Sequence, residues 1–173
     1  MANFTFLENK PEFKIFASDC IEAEQTFEKS PNACVKLVRT AAEACTKWLY
    51  DNDKKFSKNL NKTDGDNFFA LISNTIFEKA VGQNLLSKIH YCRKCGNSSI
   101  HNEKDFNYEE GVQCLSNLFD FVQWIDKNYG KNYKPRTFDA EEIPVSESFW
   151  KSAAKLIGAA GLGALATFFL TKK

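Results

Sequence analysis

From Phe13 to Tyr129 the apolar residues recur at steps of three and four, and no two-residue alternation of useful length interrupts them. That period lays one apolar stripe along each of several helices and argues against a sheet. The expected fold class is therefore all-α, a helical bundle. At 173 residues, 43% of them apolar, the chain has room for one domain with a real core plus appendages. Sixteen Phe and three Trp against a single Met point to an interior built from large rigid rings.

Local signals divide this pattern. Asn9-Lys-Pro11 is a cap-then-proline start for a first helix carrying Phe13, Phe16, Ala17, Cys20, Ile21 and Phe27. Ser30-Pro31 repeats the signal and opens the expected central helix, with Val35, Val38, Ala41, Ala42, Cys45, Trp48 and Leu49 on one broad face. Asp51 to Asp66 reads as a basic surface loop. Phe68 to Ile76 reads as a short helix before Gly82, and Leu85 to Cys92 as another that Gly96 closes in a left-handed cap. Tyr108 to Tyr129 forms the last globular helix, with Glu109 and Glu110 in its first turn. The expected domains are a helical body over residues 1–130, a linker over 131–148 and a C-terminal anchor helix over 149–173.

The anchor rests on the uncharged run Leu156–Thr171, flanked by Lys151, Lys155, Lys172 and Lys173. Its sixteen residues span about 24 Å as a helix, short of the roughly 30 Å hydrocarbon core. A start near Phe149 and snorkelling lysines supply the missing length. The expectation is a cytoplasmic body on a single C-terminal pass through the inner membrane, the alternative being a cytoplasmic protein whose tail docks on protein. Small residues at four-residue steps, such as Ala154, Gly158 and Ala160, Ala164, also suit self-association in lipid.

Net charge is +1, with 23 basic and 22 acidic residues, so no overall field selects a nucleic-acid or acidic partner. The N-terminus lacks the basic start and apolar run of a secretory signal, and the six cysteines read as reduced thiols. Both histidines fall in one polar stretch, His90-Tyr-Cys-Arg93-Lys-Cys-Gly-Asn97-Ser-Ser-Ile-His101. An arginine with a histidine suits phosphodiester chemistry, imidazole moving a proton near neutral pH and guanidinium stabilising charge on phosphate. The alternatives are helix-end pairing by Arg93 and Asn97 and, more weakly, zinc on His90, Cys92, Cys95 and His101, whose spacing matches no standard finger. No metal and no cofactor is expected. Arg39, Glu43 and Lys47, four residues apart, read first as helix-surface ion pairs.

The residues Asn3 to Phe13, Cys20-Ile-Glu-Ala-Glu24, Ser30-Pro31, Arg39-x3-Glu43-x3-Lys47-Trp48, Arg93-x2-Gly96-Asn97-x3-His101 and Phe121-x2-Trp124-Ile-Asp126 together resemble one bacterial family. It is the HEPN-like domain of unknown function found at the N-terminus of type I restriction endonuclease R subunits and in stand-alone proteins. The resemblance covers residues 1 to about 143 and implies a HEPN-like helical bundle, dimerisation and a setting in prokaryotic anti-phage defence. HEPN ribonucleases place a histidine four to six residues after the arginine, whereas seven residues separate Arg93 from His101 and Lys94 follows the arginine. The Arg-Gly-Asn-His pattern fits the restriction-associated branch, in which the motif positions helices or binds a ligand. The resemblance also raises Arg39 and Glu43 above ordinary surface pairs.

The expected function is a membrane-tethered accessory or sensor module binding RNA, a nucleotide or a protein partner such as a defence effector, as a homo-oligomer. Arg39, Glu43 and Lys94 are its expected binding residues. The alternative is a metal-independent endoribonuclease with His101 as acid/base, Arg93 as phosphate stabiliser and Asn97 orienting them. A third reading is a purely structural interaction protein.

Overall fold

The computed structural model describes residues 2–58, 67–101 and 104–144. Among them every regular element is a helix. The chain is all-α, as the three-and-four periodicity requires.

Helix α1 (Lys14–Thr26) follows two short 3-10 turns, Thr5–Asn9 and Pro11–Phe13. The expected cap at Asn9 is not made. Asn9 lies inside the first 3-10 turn, and Lys10, the residue ahead of Pro11, gives no side-chain cap because an ammonium cannot accept an N–H; it donates across to Asp126 instead. Helix α2 (Pro31–Asn52) starts as expected, with Ser30 Oγ accepting the Ala33 N–H at 3.2 Å and Pro31 in the first turn. It is the central element, packed against α1, α5 and α6. Its face of Cys34, Val35, Val38, Ala41, Ala42, Cys45 and Leu49 is buried.

Two short helices follow, α3 (Lys54–Ser57) capped by Asp53 and α4 (Phe68–Ile72) capped by Asn67. Residues 59–66, the rest of the expected basic loop, lie outside the described residues. Helix α5 (Thr75–Ile100) breaks at Gly82, whose φ of 77° and ψ of 158° suit only glycine. The expected boundary at Gly82 is thus a sharp bend between two helical segments. Gly96 does not end the helix, contrary to expectation, and α5 continues to Ile100. Helix α6 (Tyr108–Tyr129) opens with a full capping box between Asn107 and Glu110.

Rings fill the interior. Phe13 and Phe16 stack at 5.3 Å and both meet Trp48 edge-on, while Tyr50, Phe56, Phe77 and Phe121 form a second group. The polar tips are satisfied: Trp48 Nε1 donates to the Glu12 carbonyl and Tyr50 Oη to the Leu71 carbonyl. All six cysteines are free and buried.

Residues 131–144, expected to run as an extended linker, lie back across the bundle. Phe138 meets Phe119 at 5.6 Å, the Arg136 guanidinium covers the Phe6 ring at 3.9 Å, and Ile143 is 3% exposed. Two buried carboxylates secure this strap and the N-terminal turns. Glu24 accepts the Asn3 and Phe4 backbone N–H groups and the Asn3 side-chain amide, and Asn3 exchanges hydrogen bonds with the Asp139 backbone. Asp126, fully buried, pairs with Lys10 and Arg136. The run Leu156–Thr171 lies outside the described residues. Among those described, no helix is long and apolar enough to cross a membrane.

Candidate functional site

The polar residues singled out from the sequence converge where α5 crosses α2. Glycine at position 96 brings the two helices together: its backbone presses on the stem of Arg39, leaving no room for a side chain. The guanidinium of Arg39 is thereby held against α5 at the very next residue. Its Nε donates to Asn97 Oδ1 at 2.6 Å and its Nη1 to Glu43 Oε2 at 2.9 Å. Glu43 also takes Lys47, at 3.0 Å. The four-residue spacing of Arg39, Glu43 and Lys47 makes a real ion-pair ladder on α2, and Asn97 ties it to α5.

Arg93 lies one turn before Asn97 on the same face of α5. It makes no ion pair among the described residues, and its Nε is buried without a hydrogen-bond partner. Its guanidinium stands 4.8 Å from the Phe69 ring centroid, and Arg39 lies 5.8 Å from the Phe68 ring. Burial first, and then the like charge of Arg39, pull the Arg93 pKa below its ordinary value. The site is two guanidinium groups on facing helices, one neutralised by Glu43, walled by two consecutive phenylalanines of α4.

Other expected site residues fall elsewhere. His101 is the exposed C-cap of α5; its backbone N–H closes on the Asn97 carbonyl, and its side chain makes no hydrogen bond among the described residues. Eight residues of helix put it about 12 Å along the axis from Arg93. Lys94 is exposed on the flank of α5. The four residues weighed for zinc diverge: Cys92 donates to the Cys114 carbonyl, Cys95 shares a hydrogen bond with the Cys114 thiol, His90 meets Phe69, and His101 sits at the helix end. Among the described residues no group of three or more metal-ligating side chains could hold a metal ion.

Sequence reasoning missed Phe69, and it weighed His90 as a metal ligand and not as a neighbour of Arg93. Phe69 is 52% exposed, unusual for so large an apolar side chain, and its ring faces both Arg93 and the His90 imidazole, 6.2 Å away. The signal was present in the pair Phe68-Phe69: adjacent helical residues point about 100° apart, so a short helix cannot bury both.

A family model described as Domain of unknown function (DUF4145) matches residues 21–132, a span holding Arg39, Glu43, Arg93, Asn97 and His101. No curated protein and no solved structure matches the chain.

Proposed function

The chain belongs to the family described as Domain of unknown function (DUF4145), and on that footing we propose that it is a HEPN-like binding module whose Arg39/Arg93 crossing holds a phosphate group of RNA or of a nucleotide. The observation that carries this reading is Arg93. A half-buried guanidinium with an unpartnered Nε, beside a second arginine whose carboxylate is already shared, is short of one anion. Arginine forks match phosphate oxygens in pairs, and partial burial strengthens such charge-assisted bonds. The exposed Phe69 ring next to the cation supplies an apolar wall.

Binding is favoured over cleavage by the expected Arg93/His101 pair because a general acid or base must come within about 3 Å of the proton it moves. His101 stands two helical turns from Arg93. The setting in anti-phage defence, a dimeric state and an effector partner extend the proposal on the strength of the resemblance. Tethering of a cytoplasmic body to the inner membrane extends it on the strength of the run Leu156–Thr171.

The test is fluorescence anisotropy with a labelled single-stranded RNA and with a labelled ATP analogue, together with a gel for RNA integrity. Saturable, salt-sensitive binding of either ligand is expected, weakened about tenfold or more in Arg93→Gln at an unchanged unfolding midpoint. Neither ligand binding, or Arg93→Gln binding as well as the parent, would sink the proposal. RNA cleavage lost in His101→Ala would transfer the function to the endoribonuclease reading.

A further inference from the structure

His90 lies three residues before Arg93 on α5, so both side chains share one face of the helix. Both meet the same ring: the imidazole and Phe69 centroids are 6.2 Å apart at 56°, and the Arg93 guanidinium is 4.8 Å from that ring. The half-exposed Phe69 thus joins the two groups into one surface, and Asn97 and Arg39 continue it by the next turn. Resting on the anion site described above, we propose that His90, and not His101, is its third cation, so that the site takes its anion more tightly in acid than at neutral pH.

The charges facing His90 support this assignment. Burial, then Arg93 and Lys94 on its own helix, disfavour the imidazolium, while Glu78 in the first segment of α5 favours it. Helix α4 brings Phe69 against it and carries no charged residue. In the free protein these neighbours hold the His90 imidazole below its ordinary value and favour its neutral form. An anion held by Arg93 offsets the repulsion that keeps the proton away. Binding then takes up a proton, and affinity must rise as pH falls through the titration of His90.

The chain has two histidines, so its imidazole Cε1–H signals in an NMR titration are two, assigned with His90→Gln and His101→Gln. Inorganic sulfate is the probe, since its charge is constant across the range. The His90 midpoint is expected to rise on adding sulfate while the His101 signal does not respond. Sulfate affinity is expected to improve about three- to tenfold between pH 7.5 and 5.5 in the parent and to stay flat in His90→Gln. Because the parent's own signals carry the midpoint shift, that readout does not depend on how a variant folds. Sulfate binding that needs Arg93 but is blind to pH would remove His90 and leave the anion site standing. A response at His101 instead of His90 would also overturn the assignment. Absence of sulfate binding at every pH would overturn both.

Discussion

A β-carbon built on Gly96 of α5 would stand 2.2 Å from Cβ and 2.9 Å from Cγ of Arg39 on α2. Arg39 Cβ is fixed by its own backbone, so the clash cannot be relieved by rotating a side chain. The helices would have to part. This contact sets the depth of the crossing at which the two arginines face each other.

Gly96→Ala should therefore destabilise the protein although alanine is the better helix former by about 1 kcal/mol. Overpacking of a fixed contact costs about 1–3 kcal/mol, so a net loss is expected, with weaker anion binding as Arg39 moves off Asn97. Urea unfolding and the anisotropy assay check both. A Gly96→Ala protein as stable as the parent would mean that the helices do not press together here.

Asp126 and Lys10 are both buried, and Asp126 holds Arg136 as well. Asp126→Leu alone leaves the Lys10 ammonium buried without its carboxylate and should cost about 3–5 kcal/mol. Lys10→Met combined with Asp126→Leu should recover a large part of that loss, since it removes the buried ammonium and leaves unpaired only Arg136, which solvent reaches. A double-mutant cycle by urea denaturation measures the coupling, and additive losses would contradict the pairing.

Cys95 is the thiol of the chain held down to about pKa 7, by the hydrogen bond with Cys114 first and then by Tyr91 and the charge of Lys104. The same bond, and then burial, push Cys114 up. Since the thiolate is the nucleophile, native protein treated briefly with iodoacetamide at neutral pH should carry the label on Cys95 ahead of the other five cysteines. Peptide mass spectrometry reads the site. Label appearing first on Cys34 or Cys92, both pushed up by burial, would refute it.

His90 also couples stability to pH. Its folded value lies below 6.5, so on acidification the unfolded chain takes up the proton first. The contribution is fully present above pH 6.5 and is lost as pH falls through the folded value. Without added anion, the drop in urea midpoint between about pH 7.5 and 5.5 should be smaller in His90→Gln than in the parent. An equal drop would mean that burial and Arg93 do not act on this imidazole.

The parts of the fold that were readable from sequence are those written locally. Ser30-Pro31 starts α2, because a cap and its recipient N–H groups are only three residues apart, and Glu109 and Glu110 mark the first turn of α6. Gly96 was misread because a glycine demanded by a neighbouring helix and one demanded by a left-handed cap look alike in one dimension. Arg39, Glu43, Arg93 and Asn97 were legible as a set, while the place of His101 depended on α5 running straight through Gly96. Glu24 and Asp126 gave no local sign of being buried. Their partners, Asn3 and Lys10, lie 21 and 116 residues away. The strap over residues 131–144 looked like a linker for the same reason, since Arg136, Phe138 and Ile143 are isolated in a polar context and meet their partners only in the folded chain.

That strap also decides how the body would carry a load. Tension applied through residue 144 is transmitted to Ile143, then to the Asn3–Asp139 exchange and the Arg136–Asp126 pair, before it reaches α2 or α5. The strap and the N-terminal turns act as a mechanical fuse: they would peel from α6 while the crossing of Arg39 and Arg93 kept its geometry. The contacts of Glu24 and Asp126 would have to give before such a pull reached the arginines.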